Sequence, residues 1–381
     1  MKLKKIDVLD KPYQIYAEVL ESGAIDQFVD VMGQADVRQG ALMADAHSGY
    51  VLPIGGVVAT EGTIYPSFVG YDIGCGVCAV KMNIKREQIW DKAAEIRDAI
   101  YKQIPVGFNK NPLERHARVR KLLKELKGNP TKVITEDLWG EAVLGCGTLG
   151  GGNHFIEIGY DENDDIWVIV HSGSRSLGFG VGEHYMKLAA GRDRKFEGLY
   201  SLHEHSDVGK DYINDLDYCL AYALLSRKIM VSHTCNILKD FVEGAEAIAD
   251  TWINRNHNHA EKKGDVWIHR KGATHAELGM MGVIPGNMRD GCFITRGKGN
   301  PASLYSSSHG AGRVMSRAKA KEAVNLEQLA EMMKDVPGAS VRPGVIDEAP
   351  AAYKNIFEVM ELQKDLLEVV HHVKPIVNVK G

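Results

Sequence analysis

Cysteine is scarce. Six cysteines in 381 residues are too few for the disulfide frameworks that staple small extracellular folds. Each is therefore expected as a buried thiol, a metal ligand or a reactive group. Long apolar runs are missing as well. No stretch approaches the ~18 apolar residues that a membrane span requires, and Met1–Pro12 lacks the apolar centre of a secretory leader. A cytoplasmic protein that does not touch the membrane is expected. Positive charge is not in excess: a net charge of −4 opposes non-specific adhesion to nucleic acid, although composition does not reveal a local basic groove. There is no repeat, low-complexity tract or Pro/Ser-rich linker at which to cut the chain. The length suits one large domain or two ordinary ones.

Glycine, by contrast, is plentiful and unevenly placed. The 40 glycines gather near 49–56, 70–76, 145–152, 173–180, 272–286 and 291–312. Helices are predicted over Arg86–Ile104, Asn111–Lys127 and Asp211–Phe241, the last from apolar residues at Ile213, Leu216, Leu220 and Leu224. Short β-rich runs flank the glycine clusters: Ile54–Ala59, Phe155–Ile158, Ile166–Val170, Val266–His269 and Ile376–Val379. The pattern predicts an α+β fold, with central mixed sheets covered by helices and a site at strand ends. The apolar tail through Val379 is expected to be docked rather than frayed.

Three motifs are set aside. Gly145-Cys-Gly-Thr-Leu-Gly150 has dinucleotide-fingerprint spacing, but a β-like run follows it where a helix is needed. Cys75-Gly-Val-Cys78 has no second pair for zinc, and its glycines argue against a thioredoxin-like helix. His171-Ser-Gly-Ser174 lacks the G-x-S-x-G elbow of a serine hydrolase.

A grouping of polar loops carries more weight. His47, His154, His171, His257 and His309 lie in or beside such loops, and Asp72 stands three residues before Cys75 across a glycine turn. A carboxylate, a thiolate and imidazoles suit a borderline divalent metal, and the set exceeds one tetrahedral shell. Cys75 as a plain buried thiol stays open at this point. Farther on, glycines flank Ala311 in His309-Gly-Ala-Gly-Arg313-Val-Met-Ser-Arg317. Arg313 and Arg317, four apart, are expected on one face at the start of a helix, where two guanidiniums and a helix N-terminus would cradle phosphate. His309 beside that cradle suits an acid, base or nucleophile. A helix cap with two solvated arginines is the competing reading.

These blocks resemble the RtcB family of RNA ligases in order and spacing. The resemblance rests on Asp45-Ala-His47-Ser-Gly-Tyr50, Val69-Gly-Tyr-Asp72-Ile-Gly-Cys75-Gly76, Gly147-Thr-Leu-Gly-Gly-Gly-Asn153-His154-Phe155 and His171-Ser-Gly-Ser-Arg175. It continues through Arg270-Lys-Gly-Ala273, Ile284-Pro-Gly286, the His309–Arg317 block and Val379-Lys380-Gly381, and so covers nearly the whole chain. It implies a GTP- and Mn²⁺-dependent ligase. Such an enzyme joins an RNA 3′-phosphate or 2′,3′-cyclic phosphate end to a 5′-hydroxyl end through a guanylylated histidine. By resemblance His309 is that histidine, and Asp72, Cys75, His154, His171 and His257 are ligands of two Mn²⁺ ions. Asn153, Glu157, Ala311, Gly312, Tyr353 and Lys380 are implied at the nucleotide, with Asn287 and Cys292 where the family pattern has serines. Asp45, Arg313 and Arg317 are implied at RNA or nucleotide phosphates. Ser176 and His275 also depart from the pattern, which has glycine and often arginine there. Because the implied site runs from 45 to 380, residues 1–381 are expected as a single domain, a monomer or weak dimer, with an accessory protein left open. The alternatives are a metal-dependent RNA-end phosphoesterase and a non-catalytic RNA-end-binding protein.

Overall fold

Runs of Val, Ile and Phe between the glycine clusters become strands, as β-branched and aromatic residues favour. The computed structural model describes residues 6, 10–126, 128, 130–191 and 195–381. Among these residues the larger sheet has seven strands in the order Met281–Pro285, Cys292–Gly297, Leu367–Lys380, Phe155–Tyr160, Asp165–Ser172, Gly76–Lys85 and Ile253–Asn256. Every pairing in it is antiparallel. A second sheet of five strands runs Tyr13–Ile15, Val37–His47, Ile54–Glu61, Val266–Lys271 and Asn258–Lys263. Its first pair is parallel and the rest antiparallel. The expected α+β architecture with mixed sheets is observed, and each predicted β run falls within a strand.

The tail is docked at the centre of the larger sheet. Leu367–Lys380 lies between Cys292–Gly297 and Phe155–Tyr160, and Ile376, Val377 and Val379 are fully buried. Across one face of the sheet runs the helix Asp207–Phe241, opened by Ser206, whose hydroxyl accepts from the Gly209 amide. Its buried residues Met230, Val231, Ile237 and Leu238 share a core with Val80, Ile158, Val168 and Ile376. The 35-residue helix is still interrupted by charge, and among the described residues no helix is long and apolar enough to cross a membrane.

Two helix expectations are corrected. The predicted Arg86–Ile104 helix opens as two 3₁₀ turns, Arg86–Gln88 and Trp90–Lys92, before the α-helix Ala93–Gln103. There the Gln88 side chain accepts from the Lys85 amide at 2.7 Å, a local bond that competes with continuous helix. Leu113–Lys124 begins after Pro112 rather than at Asn111, since proline holds its own φ and leaves no amide to donate. The predicted end of that helix, Lys127, lies outside the described residues.

Antiparallel register decides where the site forms. Gly76 pairs with both Ser172 and Asn256, Phe155 with both His171 and Lys380. Strand starts and strand ends therefore alternate along one edge. Cys75, His154, His171, His257 and Lys380, remote in sequence, meet there.

Candidate functional site

Cys75 stands at the middle of the edge. Its sulfur lies 3.3 Å from His171 Nε2 and 3.5 Å from His154 Nε2. Asp72 extends the group on one side, with Oδ2 3.2 Å from His154 Nε2. His257 extends it on the other, with its Nε2 3.3 Å from His171 Nε2. The five donors thus form a chain of neighbours in the order Asp72, His154, Cys75, His171 and His257. Among the described residues, Cys75, His154 and His171 are close enough to share one ion, as are His259, Glu261 and His275 elsewhere.

The remaining ring nitrogens fix the tautomers. His154 Nδ1 lies 2.9 Å from the Leu149 carbonyl and His171 Nδ1 3.2 Å from the Asn153 carbonyl. Each Nδ1 must therefore donate, which leaves the Nε2 lone pair facing the other donors, the arrangement a metal-binding imidazole needs. Burial holds His171 and His257 well below the usual imidazole range, with neighbouring His154 and His309 adding to it, so both rings are neutral at pH 7. Burial, reinforced by Asp72, pushes the Cys75 thiol well up. A divalent cation reverses that balance, since a coordinating thiol is deprotonated. One carboxylate, one thiol and three imidazoles with convergent lone pairs fit a divalent transition metal.

His309 faces this group. Its ring centroid is 4.7 Å from that of His257. His309 Nδ1 lies 2.8 Å from Asp45 Oδ2, which also accepts from the His309 and Gly310 amides at 3.2 and 3.3 Å. Burial alone would raise the Asp45 carboxyl, but the His309 ring beside it holds it below the usual range. Asp45 is fully buried and is not among the residues that line the cavity. It sits behind the imidazole, which it orients with Nε2 forward.

A cavity of about 290 Å³ opens beside His309. Such a volume lies at the small end of the roughly 300–1,000 Å³ of ligand pockets. It is lined by His309, Arg313 and Arg317 and by Asn153, Glu157, Asn287 and Cys292, as well as by Ala311, Gly312, Tyr353 and Lys380. Every residue expected at the nucleotide therefore lines one cavity. Burial pushes the Glu157 carboxyl up to about 8, with Cys292, Lys380 and Asn378 pulling the other way.

The arginines are held otherwise than expected. Only Arg317 belongs to a helix, Arg317–Ala323, whereas Arg313 precedes it and forms a β-bridge with Tyr353. The reason lies at Ser316, whose hydroxyl caps the Lys319 amide and starts the helix there. Both guanidiniums reach Glu348 instead, Arg313 at 3.1 Å and Arg317 at 2.5 Å. Lys380 Nζ reaches the same carboxylate at 2.8 Å, and the Tyr353 hydroxyl donates to it at 2.6 Å. Burial opposes ionisation of Glu348, but Lys380 and Arg317 overcome it and hold the group at about 2. Sequence reasoning missed Glu348, which follows Asp347 in a 3₁₀ turn that carries no pattern.

Arg227 was missed as well. This fully buried residue donates to the Gly74 carbonyl at 2.6 Å, the Ser172 carbonyl at 2.9 Å, Asn256 Oδ1 at 2.6 Å and Asn254 Oδ1 at 2.9 Å. Gly74, Ser172 and Asn256 are the chain neighbours of Cys75, His171 and His257. One side chain thus fixes three donor-bearing segments. A signal existed: Cys219, Ala223, Arg227, Val231 and Cys235 recur every four residues, and all are buried. A charge inside an apolar stripe marks a buried polar job.

The sequence matches the family described as tRNA-splicing ligase RtcB over residues 27–142 and 124–381. The RNA-splicing ligase RtcB of Escherichia coli is 36% identical, with 90% of each chain covered. The tRNA-splicing ligases RtcB of Thermococcus kodakarensis and Nanoarchaeum equitans are 27% and 26% identical, over 97% and 100% of this chain and 93% and 100% of theirs. The chain belongs to the RtcB family. Its departures from the RtcB pattern now have surroundings. Asn287 closes a turn, accepting from the Arg289 and Asp290 amides at 3.0 Å each and donating to Asp290. The Cys292 thiol is buried beside Glu157. His275 stacks on His259 with centroids 4.6 Å apart and pairs with Glu277 at 3.1 Å. The dinucleotide and dithiol readings do not return: a helix, not a strand, precedes Gly145-Cys-Gly, and Cys78, unlike Cys75, is a buried core thiol.

Arg227→Met should unfasten the donor segments. Divalent metal affinity is expected to fall about 10- to 100-fold, as when outer partners of metal ligands are removed, read by competitive titration with a chelating dye. Unchanged affinity in a folded variant would refute the positioning role. Metal-free protein should also lose stability as pH falls below about 6.5, because the unfolded chain takes up protons there that buried His171 and His257 refuse. Urea midpoints across pH 5–8 measure this; His171→Asn should flatten the slope, and a midpoint rising toward pH 5 would contradict it.

Proposed function

We propose that the protein is an RNA ligase that uses GTP and Mn²⁺ to join RNA ends bearing a 3′-phosphate or 2′,3′-cyclic phosphate to 5′-hydroxyl ends, acting as one domain across residues 1–381. The observation that carries this reading is the placement of His309. Its Nδ1 is engaged by Asp45, so its Nε2 lone pair is available between a metal-type donor set and a cavity of about 290 Å³. A neutral imidazole in such a position is a competent nucleophile.

On this reading Asp72, Cys75, His154, His171 and His257 would hold two Mn²⁺ ions. Bound there, Mn²⁺ would neutralise charge that develops on phosphate oxygens during phosphoryl transfer. His309 Nε2 attacks the α-phosphorus of GTP; a P–N bond forms and pyrophosphate leaves. The imidazole keeps its Nδ1 proton on Asp45 throughout. An oxygen of the RNA 3′-phosphate then takes the GMP from His309, and the 5′-hydroxyl oxygen attacks the RNA phosphorus to release GMP. A cyclic phosphate is first opened to the 3′-phosphate.

Tyr353, Lys380, Asn153 and Glu157 bind the nucleotide, with Gly312 and Ala311 letting the backbone close on it. A side chain at Gly312, where φ is +74°, would place Cβ 2.4 Å from the Asp45 carbonyl, so only glycine keeps that wall flat. Arg313 and Arg317 exchange part of their contact with Glu348 for phosphate.

Incubation with Mn²⁺ and α-labelled GTP should leave an acid-labile label on wild type and none on His309→Ala. Label on both proteins would move the nucleophile elsewhere. No label on metal-loaded wild type would replace the ligase by a phosphoesterase or an RNA-end-binding protein.

A further inference from the structure

Beyond the cavity lies an aromatic surface that the chemistry above does not use. Tyr71, which directly precedes Asp72, stacks on Phe179 with ring centroids 4.9 Å apart and planes at 19°. Tyr50 meets Tyr71 edge-on at 6.0 Å and 86°. Single exposed apolar residues are ordinary, but here Tyr50 and Phe179 are 65% and 51% exposed and belong to one contiguous set of rings. The set is also continuous with the site. A second cleft lined by Tyr50, Ser48 and Gly49 shares His47, Ile54, Arg313 and Arg317 with the nucleotide cavity.

The platform is rigid. The Tyr71 hydroxyl donates to Glu197. The loop carrying Tyr50 is pinned by Gln27, which donates to the Gly49 and Tyr50 carbonyls at 2.8 and 3.1 Å and accepts from the Gly49 amide at 3.0 Å. Lys271 Nζ lies 5.3 Å from the centre of the Tyr50 ring and donates to the Ser67 carbonyl at 3.2 Å. Rings fixed in this way spend little conformational entropy when a flat partner lands on them.

We propose that Tyr50, Tyr71 and Phe179 form a stacking platform for unpaired bases of the RNA strand that runs out of the site, an inference that rests on the RNA-ligase reading. A base laid on the open face of Phe179 adds a third ring to the Tyr71–Phe179 stack. Exposed Tyr50 takes a neighbouring base at the cleft. Every base has a π-face, so the platform is indifferent to sequence, as suits an enzyme that must accept whatever nucleotides adjoin a broken end. Glu183 and Glu197 flank Tyr71, so the contact is to bases rather than phosphates. The phosphates are left to Arg313 and Arg317 at the cleft shared with the cavity.

The test measures direct binding of fluorescein-labelled single-stranded RNAs, one ending in a 3′-phosphate and one in a 5′-hydroxyl, to the whole Mn²⁺-loaded protein. Tyr50→Ala combined with Phe179→Ala should weaken at least one strand about ten-fold or more, the scale of losing base–aromatic stacking. Phe179→Trp alone should keep affinity. The salt dependence should stay the same, because phosphate contacts are untouched. An RNA with abasic nucleotides near its end should bind wild type and the double variant equally. Unchanged binding of both strands to the double variant, or equal sensitivity of the abasic RNA, would overturn the platform. Labelling by α-labelled GTP without RNA separates the two readings. Wild type that fails to label yet loses RNA with the double substitution would sink the ligase and leave the platform standing.

Discussion

A buried guanidinium holds the centre together. Taking a cation fully out of water costs several kcal/mol, and burial draws Arg227 down only to about 10, so it stays charged at neutral pH. What offsets that cost is a set of four acceptors: two main-chain carbonyls and two asparagine side chains. Hydrogen bonds to a charged donor contribute about 1.5–3 kcal/mol each. The constraint matters because the acceptors belong to segments far apart in the chain. The long helix supplies the guanidinium, and the sheet edge supplies the acceptors. Cys75, His171 and His257 inherit their positions from this bond set rather than from their own loops.

A second charged hub organises the neighbouring cavity with the opposite sign. Glu348 gathers Arg313, Arg317, Lys380 and Tyr353. Removing the acid would leave Lys380, itself buried, without a counter-charge, the situation that makes broken buried pairs so destabilising. It also gives the pocket a resting state. Cations that would meet phosphate are already paired, so a phosphate arriving there replaces one anion by another. Between the hubs sits His309, fixed from behind by Asp45. The three arrangements share one logic: a buried charge defines where loops from distant parts of the chain must stand.

Much of this was legible in the residues and some was not. The strand runs were readable because Val- and Ile-rich segments end at glycines, and the donors were readable because Asp72, Cys75, His154 and His171 sit at those ends. The register that joins Phe155 to His171 and to Lys380 was not readable, since pairing is set by tertiary packing. Asp45 could be placed near the site but not behind His309, because its motif gives no direction to the side chain. Arg313 and Arg317 at helical spacing suggested a shared helix face, yet the capping hydroxyl of Ser316 starts the helix only at Arg317. Glu348 had no pattern at all. Arg227 had one, a charge in a buried stripe, that a closer look at helical spacing would have found.

The fate of a single phosphorus atom separates joining from hydrolysis. An RNA strand labelled at its 3′-phosphate, supplied with a 5′-hydroxyl strand, GTP and Mn²⁺, should give a longer product in which the label resists phosphatase, because that phosphate has become the new linkage. Label released as inorganic phosphate, with no joined strand, would contradict the account and make the same donors and pocket those of a phosphoesterase.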